Sequence, residues 1–184
     1  MPRHFHNAEE LLPPASALKR ALAITYDGLI SIAVLLVATG AYTMVAGYLT
    51  GWEQSGQMAE AGELSGGPGL TFTLFLALYL FFAYFWTRAG QTLGMQVWRI
   101  RIENLDGTSV SWTQALFRYT TAAVVVFLTI LAAYSVNALT LLLTVPAIVA
   151  LFYPINGLSL TDRASNSMVV AVPKPEKAKP ASNG

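Results

Sequence analysis

Residues 19–47 read KRALAITYDGLISIAVLLVATGAYTMVAG, and this segment is the strongest indication of the fold class. It is apolar over the length that crosses a bilayer, because about 20 helical residues span the hydrocarbon core. Asp27 interrupts the apolar run, and a carboxylate at membrane depth costs about 2.5–3.5 kcal/mol on insertion scales, so it requires a partner or a function. Arg20 lies almost two helical turns earlier, on nearly the same face and about 10 Å away along the axis. The stretch therefore predicts a membrane helix with a charged constellation near one interface.

The remaining chain has the composition of a protein with several membrane spans. Of the 184 residues, 54% are hydrophobic and 11% are charged, whereas about 25% of the residues of a soluble domain are charged. The apolar residues form four blocks, which predict helices over about 21–46, 70–87, 116–134 and 138–155. We therefore expect an all-α membrane protein with four transmembrane helices.

The distribution of charge predicts the topology. The basic residues all lie before the first span, between the second and third spans, or after the fourth: Arg3, Lys19, Arg20, Arg88, Arg99, Arg101, Arg118, Arg163, Lys174, Lys177 and Lys179. The loop between the first two spans contains only acidic charges, at Glu53, Glu60 and Glu63. Because basic loops stay in the cytoplasm, both termini and the central loop are predicted to be cytoplasmic. The lipid bilayer is the expected partner, and these scattered basic residues do not form a nucleic-acid surface.

Two polar segments flank a predicted membrane domain of residues 17–172. Residues 1–16 form a cytoplasmic N-terminal segment, in which two prolines prevent a helix from starting earlier. His4 and His6 are too few for a closed metal site, so we expect them in a solvated tail. Residues 173–184 are rich in proline and lysine, which predicts a disordered cytoplasmic tail.

The central loop, GQTLGMQVWRIRIENLDGTSVSW at residues 90–112, is more structured than a simple connector. Its middle alternates polar and apolar side chains at Arg99, Ile100, Arg101 and Ile102. Asp106-Gly107 is a strong signal for a tight turn between extended segments. The loop therefore predicts a short β-hairpin or an interfacial extended segment between the second and third helices. Ser111 and Gln114 then form a capping-box pattern that starts the third helix.

Asp27 requires a partner from another helix. Side chains on a helix tilt towards its N-terminus, so Arg20 points away from Asp27 towards the cytoplasm. Arg88 and Arg118 lie at the correct end of their spans to serve instead. The candidate charged cluster consists of Arg20, Asp27, Arg118, Asp162 and Arg163. Two interpretations remain open: a charged staple that fixes helix packing, or a carboxylate that binds a proton or a cation.

Several motifs, taken in order, resemble the RDD family of small bacterial membrane proteins. They are Arg20 and Asp27 in the first helix, GQTLGMQVWRIRI at 90–102, DGTSVSWTQALFR at 106–118 and LTDRASNSMVV at 160–170. The family is named for one arginine and two aspartates. The resemblance assigns the arginine to Arg20, the first aspartate to Asp27 and the second to Asp162, with Asp106 as the alternative. It covers about residues 17–172 and implies a multi-pass protein of the bacterial inner membrane, with cation/proton exchange proposed for some members.

Two functions remain open at the level of sequence. The first is cation- or proton-coupled transport through Asp27, for which a four-span protein would require a dimer. The second is a non-catalytic scaffold, assembly factor or accessory subunit, whose partner is a second copy or another membrane protein. We do not expect an enzyme, because the chain has no cysteine and no P-loop, nucleophile-elbow or metal-ligand motif. No catalytic residue, cofactor-binding residue or metal ligand is therefore predicted.

Overall fold

The structure, a computed structural model, describes residues 3–6, 12–135, 153–154 and 156–174. Its helices are α1 (Ala17–Thr50), α2 (Trp52–Glu60), α3 (Glu63–Gly66), α4 (Pro68–Arg88), α5 (Leu93–Val97), α6 (Trp112–Ser135) and α7 (Leu160–Ala164), and its strands are β1 (Ile100–Glu103) and β2 (Met168–Ala171). Among the described residues, α1, α4 and α6 are long and apolar enough to cross a membrane. The protein is therefore a mostly helical membrane protein. Most of the predicted fourth span, 138–155, and most of the predicted tail, 173–184, lie outside the described residues.

Helix α1 is longer than a bilayer requires. Ser16 caps its N-terminus, where the Ser16 hydroxyl accepts a hydrogen bond from the N–H of Lys19. Its 34 residues extend over about 50 Å, whereas the hydrocarbon core is only about 30 Å thick. The helix begins before the predicted start near residue 21, because the capping residue rather than the apolar run sets its first turn. Arg20 consequently lies inside α1.

The segment between α4 and α6 does not form the predicted hairpin. Thr92 caps the short helix α5, and β1 pairs with β2 in an antiparallel sheet in which Ile100 lies opposite Ala171. Ile100 and Ile102 are both buried, as their alternation predicts. Of the two predicted alternatives, the hairpin was wrong, whereas residues 100–103 are extended as the other alternative requires. The hairpin failed because alternation determines which face of a strand is buried, not which strand lies beside it. The fold therefore contains a small sheet and is not all-α.

The local signals around this segment are confirmed. The N–H of Asn104 donates to the carbonyl of Thr108 at 2.9 Å, which closes the predicted turn. Gly107 has a φ of 75° within this turn, a conformation that suits glycine. Ser111 and Gln114 form the predicted capping box, with the Ser111 N–H 2.9 Å from Gln114 Oε1 and the Gln114 N–H 3.2 Å from Ser111 Oγ.

The described parts of the N-terminal segment pack against the sheet and the turn. Pro14 forms a β-bridge with β2. The Phe5 N–H donates to the carbonyl of Gly107 at 3.1 Å. Nε2 of His6 lies 2.9 Å from Oε1 of Glu103. The expectation of a solvated tail was wrong for His6, because its side chain has a buried acidic partner in β1 that lies far away in the sequence.

Four short elements, α5, α7, β1 and β2, form a layer at one end of the long helices, where α1 begins, α4 ends and α6 begins. We call them the end layer. Its hydrophobic core also includes Ala23 of α1 and two loop residues, and consists of Ala15, Ala23, Met95, Ile100, Ile102, Val110 and Val169. Helix α5 contacts α1, and α7 contacts α6. The end layer is thus packed onto α1 and α6, and Trp86 of α4 packs against its core.

Candidate functional site

Three buried charged side chains meet where α1, α6 and α7 come together. Oδ2 of Asp162 lies 2.6 Å from Nη1 of Arg20, and Oδ1 of Asp162 lies 2.5 Å from Nη2 of Arg118. The exposed fractions of Arg20, Arg118 and Asp162 are 4%, 7% and 1%. We call these three residues the Asp162 cluster. It joins two membrane helices to the end layer through one carboxylate.

The start of α7 positions Asp162 for both arginines. Ser159 caps α7, and Asp162 completes a capping box with it. The Ser159 N–H donates to Oδ2 of Asp162 at 2.9 Å, and the Asp162 N–H donates to the Ser159 hydroxyl at 3.4 Å. Nη1 of Arg20 also donates to this hydroxyl, at 3.3 Å. The same carboxylate therefore caps its own helix and binds an arginine from each of two other helices.

Both arginines have further acceptors in and around the end layer. Nε of Arg20 donates to the carbonyl of Ala15 at 3.2 Å, and its Nη2 donates to the carbonyl of Val169 at 3.3 Å. Nη1 of Arg118 donates to the Ser167 hydroxyl at 2.9 Å. Because a guanidinium presents several donors in a rigid plane, each arginine holds its helix against β2 or the residue just before it.

The Asp162 cluster depends on ionic charge. Burial on its own raises the pKa of Asp162, but the positive charges of Arg118 and Arg20 and the Ser159 N–H outweigh burial and hold this pKa below its ordinary value. Asp162 is therefore ionised at neutral pH. Both guanidinium groups of the cluster share this carboxylate. Without its negative charge, two positive charges would be buried next to each other.

Asp27 occupies a separate site on α1. Its Oδ2 accepts a hydrogen bond from the Thr92 hydroxyl at 2.5 Å, and its Oδ1 accepts one from the Gly94 N–H at 2.9 Å. The exposed fraction of Asp27 is 7%. We call Asp27, Thr92 and Gly94 the Asp27 site. It attaches the first turn of α5 to α1 with neutral hydrogen-bond donors.

Gly94 is required by the close approach of α5 to α1. A Cβ atom at this position would lie 2.8 Å from Oδ1 of Asp27 and would overlap the carbonyl oxygen of Ala23. Only glycine lets the two backbones come this near to each other. The contact explains why position 94, in the first turn of α5, is occupied by glycine.

The structure brings together three of the five candidate residues, and Asp27 lies in a different site. Arg118 pairs with Asp162, and Asp27 forms no salt bridge among the described residues. Arg163 is exposed on α7. The alternative aspartate, Asp106, is exposed and accepts the Thr108 N–H at 3.0 Å, so it stabilises the turn.

The neutral partners of both aspartates did not emerge from the sequence analysis. Ser159 could have been found, because Ser159 and Asp162 have the spacing of a capping box. Thr92 caps α5, so a local signal for it was also present. Nothing in the sequence relates it to Asp27, however, which lies 65 positions away. Hydrogen bonds between distant parts of a chain depend on packing, which local patterns do not encode.

An apolar cavity of about 530 Å³ lies next to both sites, between α1, α4 and α6. Its wall includes Ile24, Phe82 and Phe127, and Asp27 and Arg118 lie at its charged end. The described part of the chain contains no group of three or more His, Cys, Asp or Glu residues that could hold a metal ion. Arg20 also lines the cavity. The cavity therefore has the chemistry of a space for apolar groups, with three charged residues in its wall.

The family model described as "RDD family" matches residues 14–166, which include α1, the whole segment from α4 to α6, and α7. The chain belongs to the RDD family. It matches no curated protein and no solved structure. In this RDD protein, the arginine and aspartates assigned from the resemblance lie in two neighbouring sites at the same end of the long helices, the Asp162 cluster and the Asp27 site.

Proposed function

We propose that this RDD protein is a non-catalytic component of the bacterial inner membrane, namely a scaffold, assembly factor or accessory subunit. The observation that carries the proposal is that both oxygens of Asp162 and both oxygens of Asp27 accept hydrogen bonds from donors within the protein. Both carboxylates thereby hold the end layer on the membrane helices. A rigid layer at one end of the helices suits docking to a second copy or to another membrane protein. The proposal includes no catalysis, cofactor or nucleic-acid partner.

The proposal also includes four spans with both termini in the cytoplasm. Helix α6 has 24 residues, so it extends about 36 Å away from the end layer. The chain is again in contact with the end layer at Ser159, which binds Arg20. A fourth crossing by the apolar residues 138–155 accounts for this return. Within the described part of the chain, the basic residues lie in the segments on the end-layer side, which supports a cytoplasmic end layer.

A second candidate function is proton- or cation-coupled transport through Asp27. The observation that favours it is that Asp27 lines the apolar cavity between the long helices. In such a carrier, the Asp27 carboxylate would exchange its bonds to Thr92 and Gly94 for a proton or a cation in each cycle. The two functions differ in their demand on Asp27, because a carrier needs its charge and a scaffold needs only its hydrogen bonds.

The substitution Asp27→Asn separates the two candidates. Asparagine can accept the Gly94 N–H through its carbonyl and can donate to the Thr92 hydroxyl through its amide, so the fold is expected to persist. Wild type and variant are reconstituted in lipid vesicles that contain a pH-sensitive dye, and a sodium or potassium gradient is imposed. If the protein is a scaffold, vesicles with the wild type and vesicles with the variant should both show the same proton flux as protein-free vesicles.

The control is Asp106→Asn, which removes a carboxylate from an exposed turn outside both sites. Cation-driven flux in the wild type that persists in the Asp106 variant and disappears in a folded Asp27 variant would establish the carrier and overturn the scaffold. Folding is checked by gel filtration in detergent before reconstitution. Wild-type flux that survives in the Asp27 variant would overturn both the scaffold and a carrier that uses this carboxylate.

A further inference from the structure

Arg3 and Arg88 lie together at the point where α4 ends. Nη1 of Arg3 donates to the carbonyl oxygen of Arg88 at 3.4 Å. Arg88 is the last residue of α4, and its guanidinium carbon lies 6.0 Å from the centroid of the Tyr84 ring, one turn earlier in the helix. Since α4 is a candidate membrane span, its last turn lies where the hydrocarbon core meets the lipid headgroups. The two guanidinium groups therefore lie at the level of the membrane interface.

The backbone of the N-terminal segment fixes the position of Arg3. The Arg3 N–H donates to the Ser109 hydroxyl at 3.0 Å, and the Ser109 N–H donates to the Arg3 carbonyl at 2.8 Å. The neighbouring bond from the Phe5 N–H to Gly107 continues this pairing. A second arginine is thus held beside Arg88 before any ligand arrives, which reduces the entropy lost on binding.

The positive charge of these two arginines is not neutralised within the described part of the protein. Both side chains are exposed, and neither forms a salt bridge among the described residues. Glu103, the acidic residue of β1, is bound by His6 and Arg101. The end of α4 therefore presents two arginines to which no acidic residue of the described segments is bound.

We propose that Arg3 and Arg88 bind the phosphate of an anionic phospholipid, whose acyl chains lie along the lipid-facing side of α4. The planar donors of guanidinium groups match the oxygens of a phosphate. Tyr84, with an exposed fraction of 53%, lies below them as an aromatic side chain suited to the interface. Two positive charges favour a lipid with a net negative headgroup over a zwitterionic one.

Native mass spectrometry of the full chain tests this site. Detergent-solubilised protein is titrated with phosphatidylglycerol or phosphatidylcholine, and the retained lipid is counted. The wild type should retain phosphatidylglycerol in preference to phosphatidylcholine. Arg88→Gln and Arg3→Gln should each reduce phosphatidylglycerol retention about fivefold, the effect expected for one cation near an anionic surface.

Arg99→Gln is the matched control, because Arg99 is also exposed but lies beyond α5 in the chain, and it should leave retention unchanged. An equal loss in the control, or equal retention of the two lipids by the wild type, would overturn the proposal. Arg3→Gln keeps the test decisive if the Arg88 variant fails to fold, because Arg3 lies outside the helices. Unchanged lipid retention with loss of a co-purified acidic protein in both variants would assign the site to a protein partner instead.

Discussion

The two buried aspartates at the same end of the helices are stabilised in different ways. Asp162 lies between two guanidinium groups, whose positive charges require a negative partner. Asp27 is held by a hydroxyl and a backbone N–H, which require only hydrogen-bond acceptors. A carboxylate within a membrane helix therefore does not by itself indicate a charged function, because its donors can be neutral. This contrast also predicts that the two positions differ in their need for charge.

The largest expected effect comes from Asp162→Asn, which leaves Arg20 and Arg118 buried without their shared negative charge. Removing one partner of a buried ion pair costs about 3–5 kcal/mol, so we expect a loss of this size in the free energy of unfolding. The loss is measured by unfolding in SDS micelles, followed by tryptophan fluorescence. Asp106→Asn is the control: asparagine keeps an oxygen that accepts the Thr108 N–H, so its loss should be far smaller. Equal behaviour of the two variants would contradict the importance of charge at Asp162.

A smaller loss is expected from Gly94→Ala, which tests how closely α5 packs at the Asp27 site. The added Cβ would approach Oδ1 of Asp27 and the Ala23 carbonyl, and overpacking of this kind costs about 1–3 kcal/mol. Faster hydrogen exchange of the α5 amides should accompany the loss.

The matched control is Gly28→Ala in α1, where a Cβ would meet no described atom within 4 Å. Alanine favours a helix over glycine by up to about 1 kcal/mol, so this variant should be as stable as the wild type or more stable. If Gly94→Ala were tolerated as well as Gly28→Ala, the close packing of α5 on α1 would be refuted.

Asp27→Asn should have a still smaller effect, below about 1 kcal/mol, because both hydrogen bonds can be kept. Asp27→Leu removes both acceptors, and each buried donor left unpaired costs about 1–3 kcal/mol. The same SDS unfolding measurement compares the two variants. A loss in the asparagine variant as large as that in the leucine variant would show that charge at this position stabilises the fold, contrary to the comparison drawn above.

The smallest effect is the contribution of Asp162 to stability in mild acid. Its pKa is lower in the folded state than in the unfolded state, so its stabilisation is complete above the unfolded pKa and is lost as pH falls towards the folded pKa. At about pH 3.9, the ordinary pKa of an aspartate, the expected loss is only about 0.4 kcal/mol. It should increase at lower pH. The unfolding free energies of wild type and Asp162→Asn, compared between pH 6 and pH 3, should converge; a constant difference would contradict the lowered pKa.

The parts of the fold that were predictable from sequence are those encoded by neighbouring residues. The apolar lengths of α1, α4 and α6 depend on composition alone, since a bilayer of fixed thickness requires them. The Asp106-Gly107 turn and the Ser111–Gln114 cap each involve a few consecutive residues whose backbone geometry determines the outcome. The presence of buried charge near one end of the helices was likewise evident from Arg20 and Asp27 themselves.

The partners of those charges were not predictable, because the tertiary structure alone decides them. Asp27 had several cations as candidates in the sequence, yet packing of α5 against α1 offers it Thr92 and Gly94. Likewise, the alternation of β1 indicated a buried face, but its paired strand, β2, comes from a segment more than 60 residues later in the sequence. The physical reason is the same in both cases. Burial and charge are properties of single residues and short patterns, whereas hydrogen-bond and ion-pair partners depend on which distant segments come into contact.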